Sequence, residues 1–196
     1  MATVNPSPDS GDQLLTATGR VILGMLGLGK ETGYDIKQLV DRSTRHFWAA
    51  SYGQIYPELR RLEAAGLVSS QSEPSGARAR TVYRLTDAGH AALDRWLAST
   101  QEPLYELRDE GMLKLFFSDL AGPDAGSPDA LRIVHLRAMR ARQEQKLQQL
   151  RAMEPNVRNG PPGTYLTLRL GIDMAEWFIE WSEATERRLA ANLEQE

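Results

Sequence analysis

Glutamine and arginine at helical spacing can read the edges of bases, and the stretch Tyr52-Gly53-Gln54-Ile55-Tyr56-Pro57-Glu58-Leu59-Arg60-Arg61-Leu62 carries both. Gln pairs bidentately with adenine and Arg with guanine, while tyrosine hydroxyls usually reach phosphates. If Ile55, Leu59 and Leu62 form the inward face of a helix, then Tyr52, Gln54, Tyr56, Arg60 and Arg61 are candidates for outward positions. Further along, Arg78 and Arg80 flank a Ser-Gly turn and suit phosphate or minor-groove contact. On composition alone an ordinary solvated face accounts for these residues equally well.

Other constellations fall short of chemistry. Gly24-Met25-Leu26-Gly27-Leu28-Gly29-Lys30 fits the start of a phosphate-binding loop, but Glu31 stands where Ser or Thr must hold Mg²⁺, and the preceding residues have helical rather than strand period. His46, His90 and His135 are scattered, and no zinc-protease, nucleophile-elbow or dinucleotide-binding motif occurs. Carboxylate pairs such as Asp109-Glu110 read as solvated helix surface. The absence of cysteine removes disulfides, thiolate nucleophiles and Cys-based metal sites, and accords with a reducing cytoplasm. No apolar stretch approaches the roughly 18 residues of a membrane span, and the N-terminus lacks a basic start and an apolar core. The expectation is a cytoplasmic, non-enzymatic protein without metal or cofactor.

The elements that must position the arginines follow from periodicity. Residues 1–13 are polar and contain Pro6, Pro8 and Gly11, the composition of a disordered tail. A first helix is predicted from Leu14 to Gly27 or Gly29, and a second from Gly33 to about Ser43 with Thr32 as its N-cap. A third begins at Ser51, where Ser51 and Gln54 have capping-box spacing, and closes at Gly66. The period then turns extended: Leu67–Gln71 and Thr81–Leu85 are strand candidates around a turn at Glu73–Ala77. Thr86 caps a fourth helix with Ala92, Leu93, Trp96 and Leu97 inward. Helix, helix, helix, hairpin, helix is the order of a winged helix-turn-helix over residues 14–100, whose third helix can enter a major groove.

The remaining residues, 101–196, read as helical. A segment from Leu104 to Leu120 is followed by a loop, then by a long helix from Asp129 to about Met153 with Leu136, Met139, Gln143, Leu147 and Leu150 along one seam. A second loop, Pro155 to Gly163, leads to a last helix from about Tyr165 to Leu193. On that helix Leu168, Ile172, Ala175 and Ile179 cluster on one side and Leu170, Met174, Trp177 and Trp181 nearly opposite, with Phe178 between. Two apolar sides require two neighbours. Burial in a single-chain bundle and a dimer contact both supply them, and the few remaining helices favour a C2 homodimer through Leu170, Met174, Trp177, Phe178 and Trp181.

Charge supports a division of labour. The whole chain carries a formal −3, which by itself argues against nucleic acid. Counted by segment, residues 14–100 hold 11 basic against 8 acidic side chains, whereas residues 101–196 hold 12 against 16. An acidic half lowers non-specific attraction to DNA and leaves contact to a few placed arginines.

Ile22-Leu23-Gly24, Gly33-Tyr34-Asp35-Ile36, Trp48, the run Ser51 to Val68 with its Tyr56-Pro57-Glu58-Leu59 core, and Tyr83-Arg84-Leu85-Thr86-Asp87-Ala88-Gly89 resemble the PadR family of bacterial transcriptional regulators. Arg108-Asp109-Glu110, Leu113 to Phe117 and the segment from Trp177 to Trp181 are similar to the C-terminal region of its virulence-regulator-like subgroup. Thr32 departs from the His common before Gly-Tyr in the family. The resemblance implies a mainly α fold with a small β-hairpin wing, a C-terminal helical dimerisation region, and a homodimer that binds a pseudo-palindromic double-stranded DNA operator, most often as a repressor. It points to Tyr34, Ser51, Gln54, Tyr56, Arg60, Arg78 and Arg80 as DNA-binding residues. It also implies a possible small aromatic effector, for which Trp96, Trp177 and Trp181 offer surface, although packing explains those rings too. A winged helix serving only protein–protein contact is the competing function.

Overall fold

The computed structural model describes residues 15–44, 47–48, 51–75, 78–100, 107–122 and 126–194. The expected tail, His46 and the hairpin tip at residues 76–77 lie outside them. Contacts divide the chain into two compact units, Met1–Pro103 and Leu104–Glu196.

The first unit begins with α1 (Ala17–Gly27), whose cap is Thr16: its side-chain oxygen accepts from the Gly19 N–H. α2 (Gly33–Arg42) is capped by Thr32, which accepts from the Asp35 N–H, and α3 (Tyr52–Ala64) follows Ser51. Helices α1 and α3 stop in the same way. Gly29 and Gly66 have φ of +78° and +70°, so each reverses the chain in a conformation that side chains with a Cβ avoid. The reversal lets Lys30 N–H reach Met25 O and Leu67 N–H reach Leu62 O, satisfying carbonyls that the helix ends leave open. The glycines of the apparent phosphate-binding motif are thus the body of α1 and its terminator.

The wing is longer than composition suggested. β1 (Val68–Ser75) pairs antiparallel with β2 (Arg78–Leu85) out to Ser75 opposite Arg78, so Glu73, Pro74 and Ser75 are strand, not turn. A two-stranded ribbon has only edges, and there a proline is tolerated because half the N–H groups point out of the ladder. Tyr83 N–H donates to Glu31 O at 2.7 Å, tying the ribbon to the connection between α1 and α2. α4 (Asp87–Ala98) starts at Thr86, whose hydroxyl donates to Gly66 O while its oxygen accepts from Gly89 N–H.

Ile22, Leu23, Ile36, Val40, Ile55, Leu59 and Leu62 are fully buried and form the centre of this unit, with Leu93 and Trp96 packed against it. Leu97, expected inward, is 67% exposed. It lies about 140° around the helix from Ala92, outside the face that α4 turns to the core.

In the second unit α5 (Glu110–Phe116) is capped by Asp109 and followed by a 3₁₀ turn, Ser118–Leu120. α6 (Pro128–Val157) is capped by Ser127, and α7 (Pro162–Leu193) begins with a proline at its first turn, where no amide bond is lost. The expected loop from Pro155 is shorter, because α6 continues through that proline for most of another turn. Val157, at its end, packs on the cluster of Leu150, Leu168 and Ile172. Gly171 lets Leu150 approach: a Cβ there would lie 3.2 Å from Leu150 Cδ1. Arg137 and Arg140 both pair with Glu186, and Arg151 pairs with Glu176, so ion pairs run along the two helices beside their apolar seam.

Among the described glycines, Gly89 leaves the least room for a side chain. A Cβ at that position would sit 2.0 Å from the Leu67 carbonyl oxygen, and backbone cannot yield as a flexible side chain does. Gly89→Ala should therefore cost at least about 2 kcal/mol in denaturant unfolding, toward the upper part of the overpacking range.

Candidate nucleic-acid interface

The third helix has the two faces its sequence implies. Ile55, Leu59 and Leu62 are fully buried, and Tyr52, Gln54, Tyr56 and Arg60 are exposed. Three exposed tyrosines gather where α2 meets α3. The rings of Tyr52 and Tyr56 stack with centroids 6.2 Å apart, and Tyr34 lies on α2, 54% exposed. Gly33 permits this junction: a Cβ on it would fall 2.6 Å from a Tyr56 ring carbon. The Lys37 ammonium lies 5.4 Å from the Tyr52 ring centroid and pairs with Asp41, and Gln38 donates to the Tyr34 hydroxyl. Lys37 and Gln38 were missed from the sequence. Their spacing of three and four residues from Tyr34 placed them on its helix face and could have found them.

Each arginine of the region has a different setting. Arg60 makes no ion pair with a described residue; its charge acts on the Tyr83 phenol, whose pKa burial pushes up. Arg61, a candidate for an outward position, is 37% exposed and pairs with Glu58, with Nη2 at 2.7 Å and Nε at 3.0 Å from the carboxylate. Arg80 pairs with Glu73 at 3.0 Å, and Arg84 with Glu31 at 3.2 Å. Arg78 takes its place in β2 opposite Ser75. Gln54 has a second task. Its Oε1 accepts from both the N–H and the hydroxyl of Ser51, at 2.9 and 3.1 Å, so a bidentate pairing of Gln54 with adenine competes with the helix cap.

Glu58 fixes the recognition helix from behind. Its carboxylate is buried among Arg61, the Thr16 hydroxyl, which donates at 2.6 Å, and Gly19, where a Cβ would lie 2.7 Å from Oε1. The same Thr16 caps α1, so one carboxylate joins the start of α1 to the middle of α3 and gains from the positive end of the α1 dipole. The Arg61 hydrogen bond holds the Glu58 carboxyl below the usual range, outweighing the burial that pushes it up.

In the second unit, α7 keeps its two apolar sides. Leu168, Ile172 and Ala175 are buried and Ile179 partly so, while Leu170, Met174 and Trp177 are 60%, 56% and 62% exposed. Trp177 and Trp181 stack at 6.2 Å, and Phe178 touches Trp181 at 5.5 Å. Trp96 has different surroundings: it packs on the core of the first unit, with the Arg20 guanidinium 6.0 Å from its ring centroid.

Three helices closed by a paired hairpin, with an exposed polar and aromatic face on the third, define a winged helix-turn-helix protein of the DNA-binding class. Residues 22–95 match the model of the transcriptional regulator PadR-like family, and residues 107–190 match that of the virulence activator alpha C-terminal region. The chain is 30% identical to the negative transcriptional regulator PadR of Bacillus subtilis (strain 168), over 83% of its own length and 92% of that protein's. It superposes on the crystal structure of Bacillus subtilis PadR in complex with operator DNA with a TM-score of 0.76, at 26% identity over 87% of this chain and 97% of the other. Against that protein in complex with p-coumaric acid the TM-score is 0.71, with the same identity and coverage. The chain belongs to the PadR-like family of transcriptional regulators.

Folding depresses the Glu58 pKa, so the stabilisation it brings is complete above the unfolded value of about 4.3 and is lost as pH falls through the lower folded value. Glu58→Gln should be less stable than wild type at neutral pH, and the gap should narrow in acid, in denaturant unfolding followed from about pH 7 to about pH 3. Thr16→Val removes the cap and the Glu58 contact together and should cost about 1–2 kcal/mol.

Proposed function

We propose that this chain is a homodimeric, cytoplasmic repressor that binds a pseudo-palindromic operator through the first unit and dimerises through the second. The observation that carries the reading is the exposed array of Tyr34, Tyr52, Tyr56 and Arg60 on α2 and α3, in a fold that superposes on an operator-bound relative. In this reading Arg60, without a carboxylate partner among the described residues, reads a base edge. The tyrosine hydroxyls, Ser51 and Lys37 hold phosphates, and Arg78 and Arg80 reach the neighbouring backbone or minor groove. Gln54 orients the helix through its cap and contacts bases only by giving that cap up. Arg61 supports α3 rather than touching DNA.

The exposed side of α7, with Leu170, Met174, Trp177, Trp181 and the adjoining Phe178, is the dimer contact in this reading. Two copies then present their α3 helices about one helical turn of DNA apart, roughly 34 Å. A small planar aromatic acid is the proposed effector class. The complex of the relative with p-coumaric acid supports it, and the stacked Trp177 and Trp181 offer it surface. Trp96, tied into the first unit's core, serves packing first.

Arg60→Ala should weaken operator binding by about 1–3 kcal/mol and relax preference at one base pair, measured by anisotropy on operator variants. Wild-type affinity that does not change with salt would exclude the DNA-binding reading in favour of a protein-contact adaptor. Met174→Asp places a charge on the proposed dimer face. Sedimentation should show it as a folded monomer whose operator affinity has fallen by tenfold or more, roughly the cost of losing the second half-site.

A further inference from the structure

The wing carries its own counter-charges. Glu73 stands opposite Arg80 in the register of β1 and β2, and alternation puts Arg84 on the same face of the ribbon, beyond the buried Val82. One Glu73 oxygen lies 3.0 Å from Arg80 Nη2 and the other 3.7 Å from Arg84 Nη2. Glu31 accepts from Arg84 Nε at 3.2 Å, and its backbone carbonyl is held by the Tyr83 N–H. Two carboxylates therefore face two guanidiniums along the stem of the hairpin.

Stability does not explain the arrangement. The four side chains are between 33% and 54% exposed, and pairs in that setting contribute little. Their effect is on anything else that approaches. A phosphate drawn to Arg80 meets the Glu73 carboxylate well within a Debye length and must win the guanidinium from it. A hairpin with Arg78, Arg80 and Arg84 all unopposed would bind any duplex, because backbone attraction is independent of sequence.

We propose that Glu73 is a specificity-determining residue: a built-in counter-charge that restrains Arg80 and Arg84 from phosphates, so that stable binding requires the contacts of α3 as well. The inference rests on the DNA-binding reading above. It predicts that loss of the charge strengthens binding, the opposite of what loss of a contact residue does.

The test is Glu73→Gln, which keeps size and strand register, in anisotropy titrations with an operator duplex and an unrelated duplex over a range of salt. The variant should bind the unrelated duplex on the order of tenfold more tightly at low salt, and its plot of log affinity against log salt should steepen by about 0.9 for each arginine released. The preference for operator should shrink, and the unfolding curve should coincide with that of wild type. Adding Arg80→Gln to the variant should return most of the gain, which a general change in folding would not do. Binding of the unrelated duplex by Glu73→Gln with unchanged affinity and slope, alongside a salt-dependent wild type, overturns this inference alone. A wild type without salt-dependent DNA binding overturns the DNA-binding reading and this inference with it.

Discussion

The orientation of the recognition helix depends on one buried carboxylate. Glu58 sits between α1 and α3, takes the Thr16 hydroxyl from one and the Arg61 guanidinium from the other, and occupies space that only a glycine at position 19 leaves open. A buried charge is tolerated when its lone pairs are occupied and its sign is opposed, and here a cap residue, a helix terminus and an arginine do both. The cap and the tie share Thr16, so the start of α1 and the placement of α3 stand or fall together. Behind this contact lies an apolar face without exposure, Ile55, Leu59 and Leu62; in front of it is the surface offered to solvent.

That surface is economical with charge. Four basic side chains of the region are opposed by a carboxylate: Lys37 by Asp41, Arg61 by Glu58, Arg80 by Glu73, Arg84 by Glu31 and Glu73. Arg60 is not, among the described residues. The mild basic excess of the first half is therefore spread unevenly, and the position of each arginine relative to its nearest acid matters more than the count. Aromatic rings accompany it. Tyr34, Tyr52 and Tyr56 stay on the surface at the cost of exposed apolar area, with Tyr56 packed against Gly33 and Tyr52 against the Lys37 ammonium.

The second unit solves a different problem with the same means. α7 is apolar around more than half its circumference, and α6 covers only one side of it, through Leu150 and its neighbours. Trp177, Met174 and Leu170 are left exposed on a 32-residue helix. In the dimeric reading proposed above, this exposed apolar side is the contact with a second copy.

The element order, the caps at Thr32, Ser51 and Thr86, the helix-ending role of Gly66, the inner face of α3 and the two faces of α7 were all legible in the sequence, because each depends on neighbours within a few residues or on a helical period. Family membership was legible too, in the run from Tyr52 to Val68. What tertiary structure alone decided is which polar groups meet across the fold. Arg61 reaches Glu58 three residues before it on the same helix, a spacing the sequence already shows, but only the fold brings Thr16, 42 positions away, onto that buried carboxylate. The length of the wing followed from cross-strand pairing that overrode the turn composition at Pro74, and Leu97 was misplaced because helical period fixes a face but not how wide a strip the neighbour covers. Local propensity acts through bonds between near residues; contacts such as Thr16 with Glu58 and Arg84 with Glu31 are set by what the chain brings back from far away.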